Sequence, residues 1–422
     1  MQVGLDAKLN DAQIDVSQAN SQRQLAVSVS AVSASVGSSA PLNLCLILDH
    51  SGSMKGKPLE RVKQAAIGLI DRLSEGDTPD GEALRHRISI IAFDHEAKIL
   101  VPNQRLDNPG AIKHKINALK ASGGTAIDEG MRLGVSELAK GKEETISQAF
   151  VLTDGENEHG DNDRCLKLAE LAASYNLTLN TLGFGSNWNQ DVLEKIADAG
   201  GGALSYIERP EDAMGEFGRL FERIQSVALT NAYLLMTLSP KVRLAELKPV
   251  AQVMPDTIEL PVIDEAGQHI VRLGDLMVDA PRVVLVNLYV GQMAEGESPI
   301  AQLQVRYENP NSSEQDLFSD TVSVTVNVKA DIKPQPNDQV QHHVLALAKY
   351  RQTQIAETKL QSGDRTGAAT MLQHAAKTAI QMGDKNAATV LQHSATQLQS
   401  GQELSESDRK KTRIASKTVL QS

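Results

Sequence analysis

Aromatic side chains are scarce in this chain of 422 residues: six Phe, six Tyr and one Trp amount to 3 %. Core stability must therefore come mainly from aliphatic packing. Cysteine is rarer still. Cys45 lies in an expected core strand and Cys165 on an expected helix, neither in a CxxC pair nor near a histidine cluster. Zinc and thiol chemistry are not expected, and the chain has no disulfide framework, which fits a reducing compartment. The N-terminus, Met1-Gln2-Val3-Gly4-Leu5-Asp6, lacks the positive lead and the apolar segment of a signal peptide. No stretch approaches the ~20 apolar residues of a membrane helix, so no membrane span is expected. Positive charge is in deficit, with 42 Lys and Arg against 53 Asp and Glu, a net charge of −11. Without a broad basic stripe, nucleic acid is not an expected partner. The expected location is cytoplasmic.

What the chain does have is a junction. Asp49-His50-Ser51-Gly52-Ser53 closes the apolar run Leu44-Cys45-Leu46-Ile47-Leu48, so a buried strand delivers one carboxylate and two hydroxyls to a tight turn before a helix. Hard oxygen ligands on a rigid strand end suit a magnesium-sized cation. Gly123-Gly124-Thr125 opens the helix Ile127–Lys140, and Asp154-Gly155 follows the apolar run Ala149-Phe150-Val151-Leu152. Taken singly, each segment is an ordinary N-cap or turn.

Jointly, one Asp-x-Ser-x-Ser, one Thr and one Asp in that order closely resemble the metal-ion-dependent adhesion site of von Willebrand factor type A (VWA) domains. The resemblance implies Mg²⁺, with Mn²⁺ or Ca²⁺ as substitutes, at Asp49, Ser51, Ser53, Thr125 and Asp154. Ser51, Ser53 and Thr125 can supply neutral hydroxyl oxygens, while Asp49 and Asp154 are placed to orient waters on the ion. An ion held mostly by neutral oxygens stays electron-poor and draws in an outside carboxylate. In the family this is typically a partner protein's Glu or Asp, and the same is implied here. His50 occupies the variable position and is expected to point away from the pocket.

Residues 41–229 alternate strand and helix signals, as in an α/β fold with a doubly wound, mostly parallel sheet. Strand Leu42–Leu48 leads to a helix from Pro58 to Leu73, then strands Ile88–Phe93 and Ala97–Val101. Helices Asn108–Ala118 and Ala126–Lys140 follow, then strand Ala149–Thr153, helix Cys165–Tyr175, strand Leu177–Leu182, helix Asp191–Asp198 and strand Ala203–Ile207. Pro210–Val227 reads as a long closing helix. Ligands of such sheets bind outside the carboxyl ends of the strands, where the strand order switches. The candidate residues sit at those ends.

The flanks carry period-2 patterning over Gln24–Val36, Val242–Leu247, Val283–Val290, Leu303–Tyr307 and Val322–Val328. This predicts an antiparallel β-sandwich with one wet face, built from residues 1–40 and 230–332 with the VWA domain inserted between them. Bacterial VWA proteins of inter-α-inhibitor-like organisation resemble this arrangement. After the stiff break Lys333-Pro334-Gln335-Pro336-Asn337, residues 333–422 read as a helical domain with a basic tail. Gln339–Leu360 is one helix. Two Gly-Asp boundaries, Gly363-Asp364 and Gly383-Asp384, each open a similar Ala-rich segment, so a three-helix hairpin array is expected. His374 and His393 recur in register as solvent-facing side chains. The tail Arg409-Lys410-Lys411-Thr412-Arg413 reads as one solvated helix face neutralised by Glu403, Glu406 and Asp408, with a partner-docking role as the other reading.

Several segments resemble other sites only superficially. Gly52-Ser53-Met54-Lys55-Gly56-Lys57-Pro58 is one residue short of a phosphate loop and carries Pro58 where Ser or Thr would hold magnesium. Ser51 occupies the place of the second Asp of haloacid-dehalogenase phosphotransferases. The acidic run Asp154 to Asp163 misplaces the glycine and closing Glu of an EF-hand, and reads instead as an acidic rim around the metal mouth. No Ser-His-Asp set, glycosidase carboxylate pair or HExxH is discernible. His50 and Asp94 are the only nameable bases for a metal-bound water, so a non-enzymatic protein is expected. Two functions remain: a Mg-dependent binding or scaffolding protein, or the VWA adaptor of an AAA+ ATPase of the MoxR or chelatase-like kind. The first is favoured because a sandwich around the VWA domain is not typical of motor adaptors.

Overall fold

In the computed structural model, residues 2–32, 40–75, 86–185, 187–278, 280–312 and 316–418 are described. Strands β1 (Gln2–Leu9), β2 (Gln13–Asp15) and β3 (Asn20–Val32) open the chain. Residues 33–36 of the expected strand Gln24–Val36 lie outside the described residues. Next come β4 (Leu42–Asp49), α1 (Lys57–Glu75), β5 (Arg87–Phe93), β6 (Ala97–Arg105), α2 (Pro109–Asn117) and α3 (Ile127–Ala139). They are followed by β7 (Ile146–Thr153), α4 (Asn162–Ser174), β8 (Thr178–Phe184), α5 (Gln190–Ala199), β9 (Gly201–Ile207) and α6 (Ala213–Gln225). The chain divides into two compact units. One is drawn from Met1–Val32, Ala232–Tyr307 and Asp316–Ser422, the other from Ser33–Asn231 with Glu308–Gln315.

The second unit is a six-stranded sheet in the order β6-β5-β4-β7-β8-β9. Only β6 runs antiparallel, to β5; the other pairings are parallel. Every residue of β4 and of β7 is buried, as expected of parallel strands covered on both faces. The chain leaves β4 toward β5 on one side and returns to β7 on the other, so the carboxyl end of β4 is the switch point at which such folds bind ligands. Helix α3 lies tight on β4. A Cβ at Gly134 would come within 2.3 Å of Ile47 Cδ1, and one at Gly130 within 2.8 Å of the Phe93 ring. Cys45, Ile47, Phe93, Met131 and Val151 fill the core between them.

The closing helix is shorter than the sequence pattern suggests. Pro210–Asp212 forms a single 3-10 turn, α6 ends at Gln225, and Val227 already opens strand β10 (Val227–Leu238). The boundary expected at 229/230 therefore falls inside a strand. Beyond β10 run β11 (Val242–Leu244), β12 (Val250–Met254), β13 (Ile258–Glu259), β14 (Ile263–Glu265) and β15 (Gln268–Met277). The last strands are β16 (Arg282–Gly291), β17 (Gly296–Glu308), β18 (Leu317–Phe318) and β19 (Val322–Lys329).

These strands form two sheets, β1-β3-β16-β12-β13 with β11 on β16, and β14-β15-β10-β17-β19-β2 with β18 on β17. Strand β3 pairs with β16 from Arg282↔Val29 to Gly291↔Asn20. Segments on either side of the parallel-sheet unit thus share one sheet, and that unit is an insertion.

Helices α7 (Asp338–Gln361), α8 (Arg365–Gln381), α9 (Lys385–Gln399) and α10 (Glu406–Lys417) complete the chain. The repeated Gly-Asp boundaries work as caps: Asp364 Oδ1 accepts from Gly367 N at 2.8 Å and Asp384 Oδ1 from Ala387 N at 2.9 Å. Two results depart from expectation. The first sheet is dry in the middle of one face, because Val340, Leu347 and Tyr350 of α7 share a core with Ala26, Val253 and Leu285, while Gln22 on the same face stays exposed. Among the described residues the helices of this region number four, because the basic tail is itself α10. Only part of it is a solvated face. Arg409 stands 3.9 Å from Glu406, but Lys410 and Thr412 are buried. Lys349 of α7, also buried, reaches Asp384 Oδ2 at 3.1 Å and the carbonyls of Ala415 at 2.9 Å and Thr418 at 3.1 Å.

Candidate metal centre

Four of the five sequence-selected residues form one hydrogen-bonded chain at the end of β4. Asp49 ends the strand fully buried. Its Oδ1 accepts from Ser51 N at 2.7 Å and its Oδ2 from Thr153 Oγ1 at 2.5 Å. Ser51 Oγ and Ser53 Oγ are 3.0 Å apart, and Ser53 Oγ donates to Asp154 Oδ1 at 2.6 Å. Thr125 joins from the other side: the Cβ position of Gly155 lies 3.2 Å from Thr125 Oγ1 and 3.7 Å from Ser53 Oγ.

The backbone holds these loops against one another. Gly52 N donates to Gly123 O at 3.0 Å, Ser122 N to His50 O at 2.8 Å, and Ala126 N to Asp94 O at 2.7 Å. Gly123 adopts φ +73°, where a Cβ would also lie 2.9 Å from Asp94 Cγ and 2.4 Å from His95 Nδ1. Only glycine meets both demands.

Burial raises Asp49 to about 6, against the opposing hydrogen bonds from Thr153 and Ser51, with Asp154 adding like-charge repulsion. Burial likewise raises Asp154, while the Ser53 hydrogen bond lowers it. Among the described residues no Lys, Arg or His forms an ion pair with either carboxylate. The cluster is therefore acidic, desolvated and rich in hydroxyl oxygen, a donor set that fits a small hard cation. Among the described residues no group of three His, Cys, Asp or Glu side chains is suited to a metal; the hydroxyls of Ser51, Ser53 and Thr125 make this site different in kind.

Sequence reasoning overlooked three supporting residues. In the sequence Thr153 reads only as the end of a strand. Asp94, in the sequence only a candidate base, is a tether: its Oδ2 accepts from Ser122 Oγ at 3.1 Å and its Oδ1 from Glu96 N at 2.9 Å. Burial pushes Asp94 up, but these hydrogen bonds, with His50 and His95 alongside, bring it below the usual carboxylate range. Asn157, read as part of an acidic rim, accepts from Ile127 N at 2.7 Å. Asp161 of the same run caps α4 through Asp163 N and Arg164 N, while Glu156, Glu158 and His159 are exposed. The signal for Asp161 was its residue type directly ahead of a helix; nothing in the sequence pairs Asn157 with the start of α3. His50 is buried, with Nδ1 3.1 Å from Lys120 O and 3.9 Å from Asp94 Oδ2, and burial lowers its pKa. Both cysteines are buried, which pushes each thiol up to about 12.

The sheet order, the strand-end turn and the match of the von Willebrand factor type A domain profile to residues 43–218 define the class: a VWA domain set into a β-sandwich. The Synechocystis sp. protein sll0103 is 56 % identical over 421 residues, covering 100 % of this chain and 98 % of its own. The Sll0103-like C-terminal alpha-helical domain profile matches residues 338–422, and the chain belongs to this Sll0103-like family of VWA proteins. Inter-alpha-trypsin inhibitor heavy chain H4 of Bos taurus is 28 % identical over 206 residues, 46 % of this chain and 21 % of that protein. A von Willebrand factor type A protein from Catenulispora acidiphila has the same fold, with a TM-score of 0.82 at 17 % identity, covering 99 % of this chain and 97 % of its own. No helix among the described residues is long and apolar enough to cross a membrane.

Proposed function

We propose that this protein binds other proteins through a divalent cation, magnesium by preference, at the carboxyl end of β4. The observation that carries this reading is the convergence of Asp49, Ser51, Ser53 and Asp154 in one hydrogen-bonded chain with Thr125 beside it. Ser51, Ser53 and Thr125 would contact the cation directly, and Asp49 and Asp154 would act through bound waters. Held there, the cation would offer an open coordination position to a Glu or Asp side chain of the partner. The chain's own contribution is rigidity: every supporting side chain is fixed by a strand end or a loop-to-loop hydrogen bond, so little ordering is needed on binding. The role proposed is capture rather than catalysis.

The test is a magnesium titration of metal-stripped protein by calorimetry, followed by affinity capture from native lysate with magnesium or with chelator. Asp49→Ala and Thr125→Ala should each abolish magnesium-dependent capture while leaving the circular dichroism spectrum unchanged. Equal capture in chelator refutes the reading. A P-loop ATPase retained only with magnesium would make the chain a motor adaptor.

A further inference from the structure

Helix α3 begins without a cap of its own. Ala126 stands at the capping position and has no side-chain acceptor. The acceptor arrives from another loop: Asn157 Oδ1 takes the Ile127 N–H at 2.7 Å. The Asn157 amide in turn donates to Asn162 Oδ1 at 3.1 Å and lies 3.7 Å from Cys165 Sγ, both on α4. Nearby, His159 N donates to Thr125 O at 2.9 Å. These contacts lace the loop carrying Asp154 to the loop carrying Thr125. The Asn157 side chain is confined as well, because Gly160 packs so closely that a Cβ there would lie 2.2 Å from Asn157 Oδ1 and 2.1 Å from Asp128 Oδ1.

We propose that Asn157 is a positioning residue of the metal centre. It touches no cation; it sets the separation between Thr125 and Asp154, and with it the fit of the site. The inference rests on the magnesium reading above and adds a residue to it. A serine at position 126 could cap α3 at its next N–H groups, those of Asp128 or Glu129, and offset the lost stability, but a local cap cannot tie the two loops together. That difference separates a positioning role from a structural one.

The experiment uses the full chain as Asn157→Ala, as Ala126→Ser and as the double variant. Magnesium chloride is titrated by calorimetry, and thermal melting is recorded without metal. Asn157→Ala should bind magnesium about tenfold more weakly or worse, the usual effect of removing a group that orients a metal's ligands. The double variant should regain the metal-free melting temperature without regaining the affinity of Ala126→Ser alone. Amide exchange should quicken together in residues 125–127 and 157–159 of both proteins that lack Asn157. Undiminished affinity in Asn157→Ala, or full recovery in the double variant, overturns the proposal and leaves the magnesium site standing. A wild-type chain that takes up no magnesium overturns both.

Discussion

The two ends of the parallel sheet both bury polar side chains, and they solve the resulting electrostatic problem differently. At the amino end, Asn43 Nδ2 donates to Leu138 O at 2.8 Å and Ser147 Oγ at 2.9 Å, while Asn43 Oδ1 accepts from Asn103 Nδ2 at 2.8 Å. Arg87 Nε donates to Asn103 Oδ1 at 2.7 Å, Asn103 N donates to Glu137 Oε2 at 2.7 Å, and Lys140 neutralises Glu137. Each of these side chains finds a hydrogen-bond partner there, and the one carboxylate, Glu137, has a cation against it. At the carboxyl end, Asp49 and Asp154 share hydroxyl donors but have no basic side chain against them among the described residues. A buried network left electrically open is costly. Two such networks on one scaffold teach that the imbalance at the carboxyl end is local to the site and not a property of the sheet.

The sharpest break in this comparison comes from Asp49→Asn. The variant should lose about 100-fold or more in magnesium affinity. Metal-stripped, it should nonetheless be more stable than wild type, by on the order of 2 kcal/mol, because a buried unpaired charge is gone. Chemical denaturation with and without magnesium reads both effects, and a destabilised stripped variant would show that the acidic cluster is already balanced. The mirror experiment is Asn43→Ala at the amino end. It leaves the Leu138 carbonyl and the Asn103 amide unpaired, so stability should fall by about 2 kcal/mol while magnesium affinity stays at the wild-type value. Any change in metal binding would mean that the two ends are coupled through β4.

The smallest effect is a pH dependence at the amino end. Burial holds His86 below its ordinary 6.5, and its Nδ1 accepts from Leu42 N at 3.0 Å. A depressed histidine leaves neutral-pH stability intact. Stability is then lost as pH falls below 6.5, where the unfolded chain takes up a proton that the folded chain resists. His86→Asn keeps an acceptor for Leu42 N and removes the titration, so it should flatten the acid limb of the melting profile. An unchanged limb would assign it to other groups.

Much of this arrangement was legible in the sequence, for reasons specific to each element. The buried runs of β4 and β7 need no tertiary information to be seen, and the hydroxyls and carboxylates follow them immediately in the chain. The support could not be read in the same way. Thr153, Asp94 and Asn157 act across loops that only the folded sheet brings together. Strand β10 escaped notice because Leu234-Leu235-Met236 breaks the alternation and Asn231 takes φ +52°, while β15 carries Gly274 at φ +77°. The expected wet face survives on β19, where Ser323, Thr325 and Asn327 stay accessible, but the other sheet is covered in its middle by α7, a contact between segments far apart in sequence.

The pairing of β3 with β16 also imposes an order of events on the ribosome. Val27 has Ala7 on one side from the start but must wait for Val284 on the other, and at about 5–20 residues per second of synthesis that delay is roughly 10 to 50 seconds. During it the whole parallel-sheet unit emerges with its strands complete. Strand β3 can pair with β1 as soon as both are made, but it is among the last to find its second neighbour, and nascent chains stalled before residue 282 should leave that edge of β3 open to protease.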